Sequence, residues 1–242
     1  MRTAPFAATL AVCQPSGTGT DMTMVIERVS AGRSDRLFFT GMGVVLASVV
    51  FAGFAPTFYL RGSALPPLSP MLFAHGLVFT TWILLFVTQT TLIAAERRDI
   101  HRRLGVIGMF IAGLVVVIGM TVAVGALRRG VGPVFGMQPG SFFSFPVEDI
   151  SAFAALVVAG IVLRHHPDAH KRLMLLATIS LLPAAIARVV FPFGAGIVSW
   201  FILTDLFVFA AVLYDRGRQQ LYLSAGALRV QFHLRAALLP RS

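Results

Sequence analysis

The sequence predicts an all-α polytopic membrane bundle of about six transmembrane helices. Two observations carry that prediction. Apolar side chains make up 57% of the 242 residues and charged ones only 12%, against roughly 25% charged in soluble domains. Charge-free apolar stretches of about 20 residues, the length that crosses a bilayer, also recur along the chain with arginines at their ends. The net charge of +10 lies in short clusters between those stretches and forms no continuous basic face. The partner it implies is a lipid bilayer with anionic headgroups, and no nucleic acid. Cys13 is the only cysteine, which excludes an intramolecular disulfide and a thiolate metal cluster.

Residues 1–36 are mixed in composition and read as a flexible N-terminal tail. The first span is 37–60, bounded by Arg36 and Arg61. After the Pro-rich turn at 65–70, the second span covers 72–95 and ends at Glu96-Arg97-Arg98. The third, 104–127, carries Gly105, Gly108, Gly113 and Gly119, small residues that let helices approach closely. A Gly/Pro-rich loop at 128–140 precedes the fourth span, 145–163, which opens on Glu148 and Asp149. The fifth, 173–190, contains Pro183, a residue that kinks a helix and frees a carbonyl. The sixth is 197–214, and 215–242 reads as a basic tail of amphipathic character, suited to the membrane surface.

Counting Lys and Arg sets the orientation. If the N-terminus is cytoplasmic, sixteen of the 20 basic residues fall inside and only Arg61, Arg128, Arg129 and Arg188 outside. This is a positive-inside signal with both termini cytoplasmic. It places the chain in a bacterial inner membrane as a multi-pass protein.

The two largest cytoplasmic turns repeat a motif. Asp99-Ile100-His101-Arg102-Arg103-Leu104 opens the third span, and Asp168-Ala169-His170-Lys171-Arg172-Leu173 opens the fifth, 69 residues later. The repeat points to a duplicated helical hairpin, spans two and three and spans four and five. Each aspartate suits the positive end of a helix dipole, and each basic triplet suits anionic headgroups. The same positions also allow a ligand role, with His101 and His170 facing each other as a pair for haem b or a transition metal.

Within the apolar segments the polar residues are few. His75, Trp82 and Gln89 are spaced seven apart and share one helix face. Either they hydrogen-bond helix to helix, or they line a cavity. The orientation puts His75, Glu148, Asp149 and Arg188 toward the outer side. Asp205 falls near the middle of the sixth span, where an unpaired charge costs at least about 2.5 kcal/mol. The candidate ligand cavity is therefore His75, Trp82, Gln89, Glu148, Asp149, Arg188 and Asp205.

The stretch from His75-Gly76 through Trp82 and Gln89 to His101-Arg102-Arg103-Leu104-Gly105 resembles a widespread family of predicted bacterial multi-span membrane proteins of unknown function. Its mark is a His-Arg-x-Leu-Gly motif after a helix that opens with His and contains Gln. The resemblance covers about a quarter of the chain and implies a membrane protein. A looser likeness is to the dihaem transmembrane cytochromes of the ascorbate and ferric-reductase type. It implies an inner axial pair at His101 and His170. No second histidine accompanies His75, so the likeness extends to one haem, not two.

Three function classes follow. The first is a protein binding a small molecule, lipid or ion in the outer polar cavity. The second is a single-haem b-type electron-transfer protein with the His101/His170 pair, and the third is a membrane scaffold or assembly factor. Gly-x-Ser-x-Gly, His-Glu-x-x-His, Walker and dinucleotide motifs are all missing from the sequence, so it names no catalytic residue and leans away from an enzyme.

Overall fold

The computed structural model describes residues 18–130, 139–194 and 196–216, with side chains from 33 onward, again excluding 131–139 and 195 and ending at 215. Among the described residues every regular element is helical. They are α1 (Thr18–Phe54), α2 (Pro70–Ala94), α3 (Arg98–Arg128), α4 (Pro139–Val162), α5 (Pro167–Ser180), α6 (Pro183–Val190) and α7 (Ile197–Arg216). Five helices are long and apolar enough to cross a membrane, and α5 with α6 makes a sixth if the bent pair is one span. The chain is therefore an all-α membrane protein. Large outward side chains are apolar, including Phe110, Val117, Val162, Leu206 and Phe209, the surface that lipid rather than water covers.

The elements follow the expected spans, with three local differences. Helix α1 starts at Thr18, so it runs through much of the segment read as a flexible tail. The predicted fifth span is two helices at 43°. Pro183 brings no N–H, and the carbonyl of Ile179, which would have received it, accepts from Leu182 N at 2.9 Å instead, so the turn tightens and the axis bends. At the end of the first span Pro56 does the same job differently. Residues Ala55–Tyr59 form a π turn closed by Leu60 N donating to Ala55 O at 2.7 Å. Asp99 and Asp168 sit in the first turns of α3 and α5, at the positive ends of the helix dipoles, and the N-cap positions are Arg97 and His166, neither of which makes a side-chain cap bond.

Consecutive packing organises the bundle: α2 lies on α3, α3 on α4, and α4 on α5, with α7 against α5 and α6. Helix α5 is the most enclosed. From Leu173 to Ser180 only Met174 is more than slightly exposed. Its polar side chains are buried with partners, Thr178 donating to Met174 O at 3.0 Å and Ser180 to Ala177 O at 2.8 Å. A central helix needs no lipid-facing apolar stripe, which is why this span tolerates the most polar sequence.

The turn between α2 and α3 is a Schellman motif. Arg97 N donates to Leu92 O at 2.8 Å and Glu96 N to Ile93 O at 3.1 Å, with Glu96 left-handed at φ 60° where glycine is usual. Arg36 holds Glu96 in place through an ion pair and keeps its carboxyl below the usual glutamate range. The sign follows: a depressed folded pKa stabilises above the ordinary value and is lost as pH falls through the lowered one. Both the strain and the bridge are at the surface, so the effect is small.

Helix α1 meets α6 where Gly53 faces Ala185. A Cβ there would lie 2.4 Å from the Ala185 carbonyl oxygen, so the two backbones touch as they can only at glycine. At Gly113, by contrast, nothing lies within 4 Å. Gly53→Val should destabilise the detergent-purified protein by about 1–3 kcal/mol, read as a lower Tm, whereas Gly113→Ala should leave it unchanged.

Candidate functional site

The repeated turns are brought together at one end of the bundle. His101 in the first turn of α3 and His170 in the first turn of α5 have ring centroids 6.3 Å apart, with planes at 84°. Each ring is fixed by the preceding helix of its own hairpin. His170 Nδ1 pairs with Gly160 O on α4 at 2.8 Å. Gln89 on α2, with its amide turned so that both ends are satisfied, donates to His101 Nδ1 at 2.7 Å and accepts from Gly105 N at 3.0 Å.

These bonds dictate tautomers. A carbonyl accepts, so His170 carries its proton on Nδ1 and presents a lone pair at Nε2. An amide N–H donates, so His101 accepts at Nδ1 and carries its proton on Nε2. The Nε2 atoms are thus a donor at His101 and an acceptor at His170. As iron ligands the rings fit by distance, since two bonds of about 2 Å plus the rings' own half-widths span such a gap. They fit by tautomer only at His170. His101 would ligate after Gln89 turned its amide over, putting like polar groups against the first turn of α3. His165 and His166 are exposed in the α4–α5 turn and stand outside the pair.

The same end holds an interaction that sequence reasoning missed. Arg172 Nε meets Asp215 at 2.5 Å from Oδ2 and 2.6 Å from Oδ1, with both residues under 10% exposed. Phe38, Phe39, Leu175, Leu176, Ala211 and Val212 enclose the pair around a void of ≈ 10 Å³, and Phe38 stacks on Tyr214 at 3.8 Å. The sequence reading put Asp215 in the tail. Helix α7 runs one residue beyond it, so Asp215 is a buried helical residue facing α5. Its signal was a lone acid just after an apolar span whose partner helix opens on consecutive cations.

Toward the opposite end, α2 carries His75, which stacks on Phe79 at 4.2 Å. Phe79 approaches Gly119 of α3, as does Ile150 of α4, so the acids flanking Ile150, Glu148 and Asp149, share that level of the bundle. Glu148 Oε1 is buried and Asp149 half-buried. Arg188, near the end of α6, lies close enough to His75 to act on it electrostatically. Its guanidinium sits 4.4 Å from the centre of the Phe54 ring and donates to Ala184 O at 2.8 Å. Trp82 is 4% exposed, packed edge-on against Phe153 at 4.9 Å, and its Nε1 has no hydrogen-bond partner among the described residues. Asp205 is half-buried on α7, next to the buried Thr204.

The seven cavity candidates therefore divide. Arg188 is exposed near the end of α6 and acts on His75 electrostatically, Trp82 packs on α4 at Phe153, and Glu148 and Asp149 lie about one turn before Phe153 on α4. Gln89 belongs to the imidazole pair, since fourteen residues of helix separate it from His75 by about 21 Å. Glu148, Asp149 and Asp205 each have interaction partners of their own.

Breaking the buried ion pair from one side should cost more than removing it whole. Arg172→Met or Asp215→Leu alone should lower stability by about 3–5 kcal/mol, and the double variant should recover much of the loss in a thermal-denaturation cycle. Equal, additive losses would mean the pair is screened by water. Comparison with protein-family models, curated proteins and solved structures finds no match to this chain.

Proposed function

We propose that this chain is a multi-pass protein of the bacterial inner membrane, with both termini cytoplasmic, that binds a small molecule, lipid or ion at its outer end. The basic turns of α3 and α5 face the cytoplasm against anionic headgroups, in keeping with the bias of Lys and Arg. The observation that carries the binding function is the indole of Trp82. It is buried among Val78, Phe79, Val115 and Phe153, and its N–H meets no acceptor among the described residues. A buried donor left unmade costs about 1–3 kcal/mol, a cost that a bound acceptor removes. Trp200, the other tryptophan, is satisfied by Pro183 O at 2.8 Å. Trp82 lies twelve residues into α2, near its middle at a rise of about 1.5 Å per residue, and His75, Glu148 and Arg188 lie on its outer side, so a ligand entering from the outer end reaches several helices.

A second reading is favoured by the facing of His101 and His170. In it His101 and His170 would hold one b-type haem, which would supply one-electron chemistry, with Gly160 O and Gln89 orienting the two rings. The His101 tautomer weighs against it.

The tryptophans give the test. The tryptophan emission that wild type loses in Trp82→Phe belongs to Trp82, and it should shift when lipid is stripped from the purified protein or when a ligand from a small-molecule and ion panel is added. Emission that stays constant through both would remove the outer-end reading. The haem reading is tested on the same preparation by an oxidised and dithionite-reduced visible spectrum. A Soret band that shifts and is lost in His170→Ala supports it, and a colourless protein from haem-replete cells eliminates it.

A further inference from the structure

We infer that the outer-end ligand is an anion, a phosphate or carboxylate, held by Arg188 with His75 beside it. This rests on the outer-end reading above and narrows it to one ligand chemistry.

Arg188 lies on an apolar segment, and no carboxylate among the described residues pairs with it. Of its five N–H donors, one is committed, to Ala184 O. Phe54 covers one face of the guanidinium, which strips water from that face and leaves the planar fork free at its edge. A fork of this kind matches the two oxygens of a phosphate or carboxylate. His75 feels the charge of Arg188, lies 4.2 Å from the Phe79 ring with the planes tilted by 32°, and makes no hydrogen bond among the described residues.

The depth fits as well. Val190 ends α6 two residues past Arg188, and the short 3-10 turn Phe191–Phe193 follows. Pro70 begins α2 five residues before His75. At a rise of about 1.5 Å per residue both groups lie less than about 10 Å from the bundle end, the level at which headgroup phosphates meet acyl chains. Phe73 and Phe193 are exposed there. Arg61, another basic group of this end, is engaged by Thr57 O and Pro66 O, whereas Arg188 spends one donor within the described residues.

The anion has two sources, the phosphate of a lipid headgroup or a free anion in the outer aqueous space. Protein delipidated in a non-ionic sugar detergent separates them. Inorganic phosphate and phosphatidylglycerol are added in turn, with chloride matched for ionic strength, and Tm is followed for wild type, Arg188→Gln and Arg103→Gln. The last reports headgroup binding at the basic turns. Phosphatidylglycerol should raise Tm of wild type and Arg103→Gln by about 2–4 °C and that of Arg188→Gln by less than half as much. A rise with inorganic phosphate that needs Arg188 assigns a free anion instead. Equal rises in wild type and Arg188→Gln overturn the inference. If Arg188→Gln does not fold, Arg188→Lys replaces it, because a point charge without the fork should weaken phosphate about fivefold or more, and an unchanged affinity again overturns it. Trp82 emission that answers only neutral or cationic ligands would leave the outer-end site standing and the anion assignment wrong.

Discussion

In a bilayer the backbone has no water to turn to, so every N–H and C=O must find its partner within the chain. The rest of this structure depends on that constraint. It dictates helices throughout, and it makes Pro56 and Pro183, where two spans break, informative. At Pro56 the break is absorbed by a π turn, with Leu60 bonded to Ala55. At Pro183 it is absorbed by a tightened turn, and the carbonyl of Pro183 itself is met by Trp200 from α7. A side chain on another helix thereby fixes the bend that lets α6 pass Gly53 of α1 at backbone contact. The bend directs α6 so that Arg188 emerges beside His75 and Phe54.

Polar groups occur where this frame can satisfy them. Helix α5, enclosed on nearly all sides, carries Arg172, Thr178 and Ser180 at no exposed polar cost, each with a partner. At the basic end the two hairpins meet through imidazoles whose tautomers are set from behind by Gln89 and Gly160. The meeting is polar yet directional, one ring presenting a donor and the other an acceptor. From the middle of the bundle toward the other end, an indole N–H and most of a guanidinium lack partners among the described residues. That asymmetry between a saturated end and an unsaturated one is the reason to look for a ligand where Trp82 and Arg188 lie.

Much of the fold was legible because charges stop helices in a membrane. The stretches bounded by Arg61, Glu96, Arg128 and Arg164 each became a helix close to its expected limits, whereas α1 runs back through Arg36 to Thr18. The facing of His101 and His170 was legible from a repeated motif on equivalent turns. What sequence could not give was partnership across helices. Asp215 looked like the start of a tail because nothing in the apolar pattern shows that α7 continues past its apolar run to meet Arg172 on another helix. Gln89 looked like a neighbour of His75 because sevenfold spacing fixes a face but not a depth. The regular stripe on α2 thus serves two different sites.

The central claim is a membrane bundle with its paired basic turns inside the cell and the Arg188 end outside. Single-cysteine variants in a Cys13→Ala background test it most directly, using a membrane-impermeant maleimide on intact cells. Gly62 and Arg164 are exposed turn residues at opposite ends. The account predicts that Gly62→Cys is labelled from outside, while Arg164→Cys is labelled only after the cells are permeabilised. Labelling of Arg164→Cys in intact cells, with Gly62→Cys protected, would contradict it.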